Sequence, residues 1–401
     1  MSTPFNLLLR SFSLMMLWMF VVGSACHAAE RGELTVSETA GIRRFSYPVQ
    51  ADVRFEEPPP EGMKFRLLHE GEPLPAQFRI TDDGVSLDFD ASFLPQESRT
   101  YEIEYGDDVA PLDEPPPGMH VAEHDDHYLV KHTQYLAWKI PKTLRGFLDS
   151  VTTPDLEFVR PASAGFVVKL RDRDLHHIGI ENSPAQVTGS RIAKQGPIQC
   201  ELEFDVELKN SIRPLSSRIR LSFPRSKSWV LVEWTIEDTE NLVEQCGIDV
   251  NLNVVGTPTL VDFGAGSFVY APLAPEQSFL MKGVRIGEQK EWVVLRGPAD
   301  KLEPYVVRSA AFPAPAEGWA HVMDKDRCTA ISVADFGDAS GDTIQIDDDG
   351  RTQITRGEFK EKLQTKSLKV WYHFVTMPVH VGAATSPQSM LVPLKTAWKP
   401  R

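Results

Sequence analysis

Cys200-Glu201-Leu202-Glu203-Phe204-Asp205-Val206-Glu207-Leu208 alternates without a break between an apolar and an acidic residue. Successive side chains of a strand point to opposite sides, so this period of two puts Cys200, Leu202, Phe204, Val206 and Leu208 on one apolar face and the four acids on the other. The stretch predicts an antiparallel strand, buried on one side and wet on the other. Like charges spaced two apart also discourage edge-to-edge pairing. Cys200, on the apolar side, reads as a small buried hydrophobe.

The same period recurs in both directions along the chain. Upstream, Val85, Leu87 and Phe89 alternate with Ser86, Asp88 and Asp90, and Tyr101, Ile103 and Tyr105 with Glu102 and Glu104. Downstream, strands at 219–223 and 229–236 flank the turn Pro224-Arg225-Ser226-Lys227-Ser228, which predicts a hairpin. Strands at 343–346 and 351–354 close on Asp349-Gly350, a pair that tolerates the positive φ of a tight primed turn. A last strand is expected at 368–376. The one helical candidate, 357–364, is short. Strands with turn signals throughout predict an all-β chain of sandwich type rather than βαβ units.

Residues 106–119 contain four prolines and no alternation. Proline lacks the amide donor that a sheet needs, so this stretch reads as a semi-rigid linker. It separates a small β-sandwich over 30–105 from a larger β region over 120–401. Before both lies a single basic residue, Arg10, an apolar run at 14–22 and the small residues Gly23-Ser24-Ala25-Cys26-His27-Ala28-Ala29. That order predicts a signal peptide over 1–28, cleaved after Ala28, and hence a secreted or periplasmic protein. The apolar run is too short for a stable membrane span, and no second one follows. An alternative stays open: Ser24-Ala25-Cys26 resembles the end of a lipoprotein box, which would leave a lipid anchor on Cys26, although Gly23 stands where such a box wants leucine.

The formal net charge is −14. So acidic a chain repels nucleic acid, whose binding requires neutralisation of phosphates. Beyond Cys26 the cysteines are Cys200, Cys246 and Cys328, an odd number, without a CxxC pair. A Cys200–Cys246 bridge is compatible with the spacing but not dictated by it.

Several short strings occur in a familiar order: Ser98-Arg99-Thr100-Tyr101-Glu102-Ile103-Glu104-Tyr105-Gly106, Tyr135-Leu136-Ala137-Trp138-Lys139-Ile140-Pro141-Lys142, Gly146-Phe147-Leu148-Asp149, Ser217-Arg218-Ile219-Arg220-Leu221, Trp229-Val230-Leu231-Val232-Glu233-Trp234-Thr235-Ile236 and Trp371-Tyr372-His373-Phe374-Val375-Thr376-Met377-Pro378. This order resembles the N-terminal region of secreted rhamnogalacturonan exolyase-like proteins. The resemblance implies a small β domain followed by a large antiparallel supersandwich of galactose-mutarotase-like type, and an oligosaccharide or polysaccharide as ligand. The sequence ends at Arg401, so the helical catalytic domain that follows in the larger relatives is not expected, which puts catalysis itself in question.

Lyase chemistry on a uronic acid needs a cation to neutralise the carboxylate, a base at C5 and an acid for the leaving oxygen; an epimerase or mutarotase needs an acid and a base on either side of the anomeric centre. Candidates for such roles are His177, Glu233, Tyr372 and His373. Arg171, Trp234 and His380 are candidates for holding the sugar. Tyr372 and His373 are neighbours in a strand and must face opposite ways. Each has a bland alternative: a core histidine or tyrosine with satisfied hydrogen bonds, a solvated hairpin for Arg171 and His177, a surface carboxylate for Glu233, a core ring for Trp234.

His120-Val121-Ala122-Glu123-His124-Asp125-Asp126-His127 has the residue types of a zinc site, but its spacing suits a polar approach to the next strand better. Asp335, Asp338 and Asp342 have the hard oxygens calcium prefers, without the spacing of a calcium loop. No cofactor is expected; calcium is the one ion left open. No serine-hydrolase elbow, P-loop, dinucleotide fingerprint or His-Glu-x-x-His occurs. Two readings follow: a carbohydrate-binding or carbohydrate-active protein, polysaccharide lyase-like or sugar epimerase-like if an enzyme, and, alternatively, a non-catalytic β-sandwich scaffold or adhesion module.

Overall fold

The computed structural model describes residues 29–112, 118–132, 136–161, 165–171, 175–181, 183–209, 212–254, 259–264, 268–286, 289–309, 314–338, 341–357, 359, 364–377 and 386–400. The signal-peptide region with Cys26, most of the 357–364 helical candidate and His380 lie outside them.

The strands in chain order begin with β1 (Glu30–Ser37), β2 (Arg44–Arg54), β3 (Lys64–His69), β4 (Glu72–Leu74), β5 (Ala76–Thr81), β6 (Gly84–Phe93) and β7 (Ser98–Gly106). Next come β8 (Met119–Glu123), β9 (His127–His132), β10 (Ala137–Pro141), β11 (Ser150–Thr152), β12 (Gly165–Leu170), β13 (Leu175–His177), β14 (Ala185–Lys194), β15 (Gln199–Leu208), β16 (Leu215–Pro224), β17 (Trp229–Glu237) and β18 (Val243–Asn251). The rest are β19 (Thr259–Gly264), β20 (Phe268–Leu273), β21 (Ser278–Ile286), β22 (Gln289–Gly297), β23 (Glu303–Val307), β24 (Trp319–Met323), β25 (Arg327–Val333), β26 (Thr343–Asp347), β27 (Arg351–Gly357), β28 (Thr365–Thr376) and β29 (Lys395–Pro400). A six-residue helix, α1 (Ser386–Leu391), precedes β29.

The small domain is a sandwich of β29-β1-β7-β3-β4 against β2-β6-β5. The large one sets an eight-stranded sheet, β13-β12-β18-β27-β26-β21-β22-β23, against a nine-stranded sheet, β14-β15-β16-β17-β28-β25-β24-β19-β20, with β11-β10-β9-β8 alongside. The pairing within these sheets is antiparallel throughout, and one continuous apolar core, including Trp138, Phe166, Phe204, Trp234, Ile248 and Tyr372, fills the large sandwich. The expected all-β architecture, a small sandwich plus a large antiparallel supersandwich, is what the chain forms. The 224–228 turn and the Asp349-Gly350 turn each join the antiparallel pair expected of them, and Gly350 takes φ +88°.

Three expectations change. The strand expected at 368–376 is β28, a central strand rather than the last. The chain continues to β29, which pairs with β1 in the small domain's sheet, so the range 120–401 ends with a strand of the other domain. Only half of the acidic face of β15 is wet: Glu201 and Glu203 are 5% and 4% exposed, whereas the side chains of Asp205 and Glu207 are 40% and 38% exposed. β15 lies inside the sheet between β14 and β16, and their basic side chains answer its charges. Arg191, Arg218 and Arg220 converge on Glu203, and Lys194 sits 3.5 Å from Glu201. Alternation reports only which side a residue faces; whether that side meets water depends on neighbours from elsewhere in the chain. Finally, Cys200, Cys246 and Cys328 are all buried, and no disulfide joins them among the described residues.

The two domains are pinned together. Lys194 donates to Asp88 at 2.7 Å, both side chains being buried. Arg225 reaches Asp90 at 2.8 Å, and Gln77 caps the Ile198 and Gln199 amides. Tyr47 of the small domain and Met390 of α1 close over Trp229, Ala330 and Trp371 on the outer face of the nine-stranded sheet.

Candidate functional site

Residues directly opposite one another in an antiparallel ladder point to the same face. Following the register across the nine-stranded sheet gives one such row: Tyr270 on β20, Asp262 on β19, His321 on β24, Ala330 on β25, His373 on β28 and Trp229 on β17. This row lies on the outer face, away from the core. Ala330 is the one small residue in it, and it stands between the two imidazoles, 1% exposed and packed under Met390 of α1. The backbones of β24 and β28 are two strand spacings apart, roughly 10 Å.

Asp262 and His321 are 8% and 7% exposed. Asp262 Oδ2 lies 3.5 Å from His321 Nδ1. The His321 ring leans on Trp319 with 5.0 Å between centroids, and the Trp319 indole N–H donates to Glu317 at 2.7 Å. The residue at 264 must be glycine here, because a Cβ would run into the Trp319 ring. His373 stands edge-on to Trp229, with centroids 5.6 Å apart. Burial pushes its imidazole down to about 3, helped by the positive charge of Lys227 and by His321. His373 is therefore uncharged at neutral pH and offers a lone pair. Lys227 donates to the Phe45 carbonyl at 2.6 Å, lies over the Trp229 ring, and has its own pKa lowered by burial.

Two atoms of this row are inaccessible and have no hydrogen-bond partner among the described residues: Asp262 Oδ1 and His373 Nδ1. A buried polar atom without a partner costs about 1–3 kcal/mol, so such atoms gathered on one face mark a place where a ligand or water supplies the missing bond. Cys328, on the same face one register step from Ala330, has its thiol pushed up to about 12 by burial and is no nucleophile.

Of the residues singled out in the sequence, this row contains one, His373. Tyr372 points the other way into the core, 0% exposed, and cannot meet a sugar. Trp234 is likewise a core ring, 1% exposed, donating to Ser217 Oγ at 2.7 Å and packed against Phe166, so the stacking role is corrected to a structural one. Glu233 shares the outer face but lies four residues along β17 from Trp229, roughly 13 Å, in an ion pair with Lys369 at 2.8 Å. His177 is on β13, at the edge of the opposite sheet, cross-strand from Val167. Its Nδ1 is also unpartnered, but no described carboxylate forms an ion pair with it. Arg171 is exposed just after β12, in the same remote hairpin.

The ion sites dissolve into ordinary structure. His124 and His127 stack at the turn between β8 and β9, and His127 bonds to Asp126 at 2.7 Å. The Asp342 carboxylate is spent on Arg356 and the Gly337 amide. Among the described residues no three His, Cys, Asp or Glu side chains could hold a metal. A groove of about 520 Å³ opens in the small domain beside Phe65 and Phe78. Its cations are committed, Lys64 to the Asp107 carbonyl, Arg66 to Glu104 and Arg79 to the Ala193 carbonyl, so it holds no acid–base pair.

Asp262 and His321 escaped the sequence reading. Each is a lone polar residue in an apolar strand, in Leu260-Val261-Asp262-Phe263 and Trp319-Ala320-His321-Val322. That interruption was the available signal; their meeting is a matter of register.

No family model matches the chain, and no curated protein matches it. Among solved structures, it superposes on an α-mannosidase from Enterococcus faecalis V583 with TM-score 0.54 and 9% identity, covering 92% of this chain and 46% of that one. A glycosyl hydrolase family 38 protein from Enterococcus faecalis gives TM-score 0.54 and 10% identity over 92% and 48%. The chain spans about half the length of these two proteins. At such identities the likeness is one of fold. A galactose mutarotase related enzyme from Lactobacillus acidophilus is also a neighbour, at TM-score 0.31 and 10% identity over 64% of this chain and 97% of that one, too loose a match to carry weight.

Proposed function

We propose that this is an exported carbohydrate-binding protein whose sugar lies across Asp262, His321 and His373, and that the site performs proton transfer on it. One observation carries the reading: two histidines two strands apart on one sheet face, one with a carboxylate 3.5 Å away, and on each side of Ala330 an acceptor without a partner among the described residues. The pairing divides the labour. His373, uncharged because burial and Lys227 disfavour its cation, takes a proton or accepts a hydroxyl hydrogen bond. His321, oriented by Asp262, donates. Acid and base on opposite sides of a sugar ring are what epimerase-like chemistry at the anomeric centre requires. The fold shared with carbohydrate-active proteins, the signal-like N-terminus and the acidic composition are in keeping with it.

Lyase-like elimination on a uronic acid is a second reading. Lys227 favours it, because its ammonium uses one N–H on the Phe45 carbonyl and retains two for a sugar carboxylate.

The test is to add the purified mature protein to freshly dissolved aldoses, following anomer interconversion by NMR, and to acidic polysaccharides, following the ultraviolet absorbance of the unsaturated product. Accelerated interconversion that vanishes in His373→Ala supports the first reading; product absorbance that vanishes in Lys227→Met supports the second. A protein that binds no sugar and changes none contradicts both, and leaves a structural module.

A further inference from the structure

We propose, resting on the carbohydrate reading above, that the site takes a chain of sugar units rather than a single one, and that Tyr270 is a distal stacking position for it. The row from Tyr270 to Trp229 crosses six strands, roughly 24 Å from end to end.

The two ends of that row are built differently. At the β17 end, Trp229 is 4% exposed. Tyr47 of the small domain meets it edge-on at 6.0 Å, Lys227 ties the adjoining turn to Phe45, and Met390 of α1 completes the cluster. The small domain and α1 thus wall off the row on that side. At the other end β20 is the edge strand of the sheet. Tyr270 there is 54% exposed, and no hydrogen bond or ring contact involves its side chain among the described residues.

Met390 over Ala330 closes the row on the β25 side as well, so a ligand held at Asp262 and His321 has one direction in which to grow along the row, toward Tyr270. Exposed aromatics scattered singly need no explanation. This one is fixed by register directly across from Asp262, the carboxylate 3.5 Å from His321. A tyrosine offers a flat apolar face with a polar tip, suited to the C–H face of a pyranose at a wet boundary.

Calorimetric titration of the mature protein with mannose, mannotetraose, galacturonate and tetragalacturonate tests this. Wild type is expected to bind the tetramer of the preferred sugar about tenfold more tightly than its monomer, the size of one well-made aromatic contact. Tyr270→Ala should erase that difference and leave monomer affinity unchanged, while Tyr270→Phe should retain it. Thermal unfolding of both variants at the wild-type temperature confirms that an exposed edge residue was altered without harm to the fold. Equal affinities for monomer and tetramer, or a Tyr270→Ala variant that still prefers the tetramer, overturn the stacking position and leave the carbohydrate reading standing. Failure of wild type to bind any of the four sugars sinks both.

Discussion

Two stretches of one sheet face carry polar side chains in opposite states. Across β14, β15, β16, β17 and β28 runs the row Arg191, Glu203, Arg220, Glu233, Lys369, alternating in sign at every rung. Each carboxylate there is answered: Glu203 by Arg191 and Arg220, Glu233 by Lys369. A few rungs away, Asp262 Oδ1 and His373 Nδ1 have no partner among the described residues. The first row is richer in charge and looks more chemical in the sequence, yet it is self-neutralised and holds strands together. The second has fewer charges and leaves its bonding capacity unspent. The two rows differ in unsatisfied valence, which no count of acids and bases reveals.

The comparison can be broken in several places. The largest effect is expected from His373→Ala, which should lower proton transfer by about 10²- to 10⁴-fold, the usual worth of a positioned general acid or base, in an assay of anomer interconversion. An effect under threefold would put His373 outside the chemistry.

Acid sensitivity comes next. Because the folded protein holds the His373 pKa near 3 while the unfolded chain leaves it near 6.5, protonation favours unfolding. The stability that His373 contributes is complete above about pH 6.5 and drains away as pH falls toward 3. Urea unfolding at pH 7 and pH 4 should show His373→Gln losing less stability on acidification than wild type, by a few kcal/mol at most. Identical losses would mean that the imidazole titrates normally.

In the paired row, Glu203→Ala strips one buried carboxylate from arginines that stay largely in water, so a cost of about 1–2 kcal/mol in the same urea assay is expected, with activity intact. Smallest of all, Glu233→Gln breaks a half-exposed pair with Lys369, and should shift stability by less than about 0.5 kcal/mol and activity not at all. Loss of activity in Glu233→Gln would erase the distinction between the rows.

The architecture was largely legible because period-two alternation is a local property: Cys200 to Leu208, Trp229 to Ile236 and the Asp349-Gly350 turn each declare a strand or hairpin within a few residues. The opposite orientations of Tyr372 and His373 were equally legible. Solvation was not. Glu201 and Glu203 read as wet until Lys194 and the arginines of β14 and β16 arrive from other parts of the chain. The return of β29 to pair with β1 depends on partners more than 350 positions apart. The site failed in sequence for the same reason. His373 was recognisable as a histidine in an apolar strand, but Asp262 and His321 join it only through the order β28-β25-β24-β19. Trp234 and Tyr372 show the converse error, residues of the right chemical type on the wrong side of the sheet.

The most direct measurement is a titration of histidine-labelled protein with mannotetraose and tetragalacturonate, watched through the imidazole nitrogen resonances. The account predicts that His321 and His373 shift together on sugar binding while His177, on the opposite sheet, stays still. Sugar binding that moves His177 and leaves His321 and His373 unchanged would contradict it.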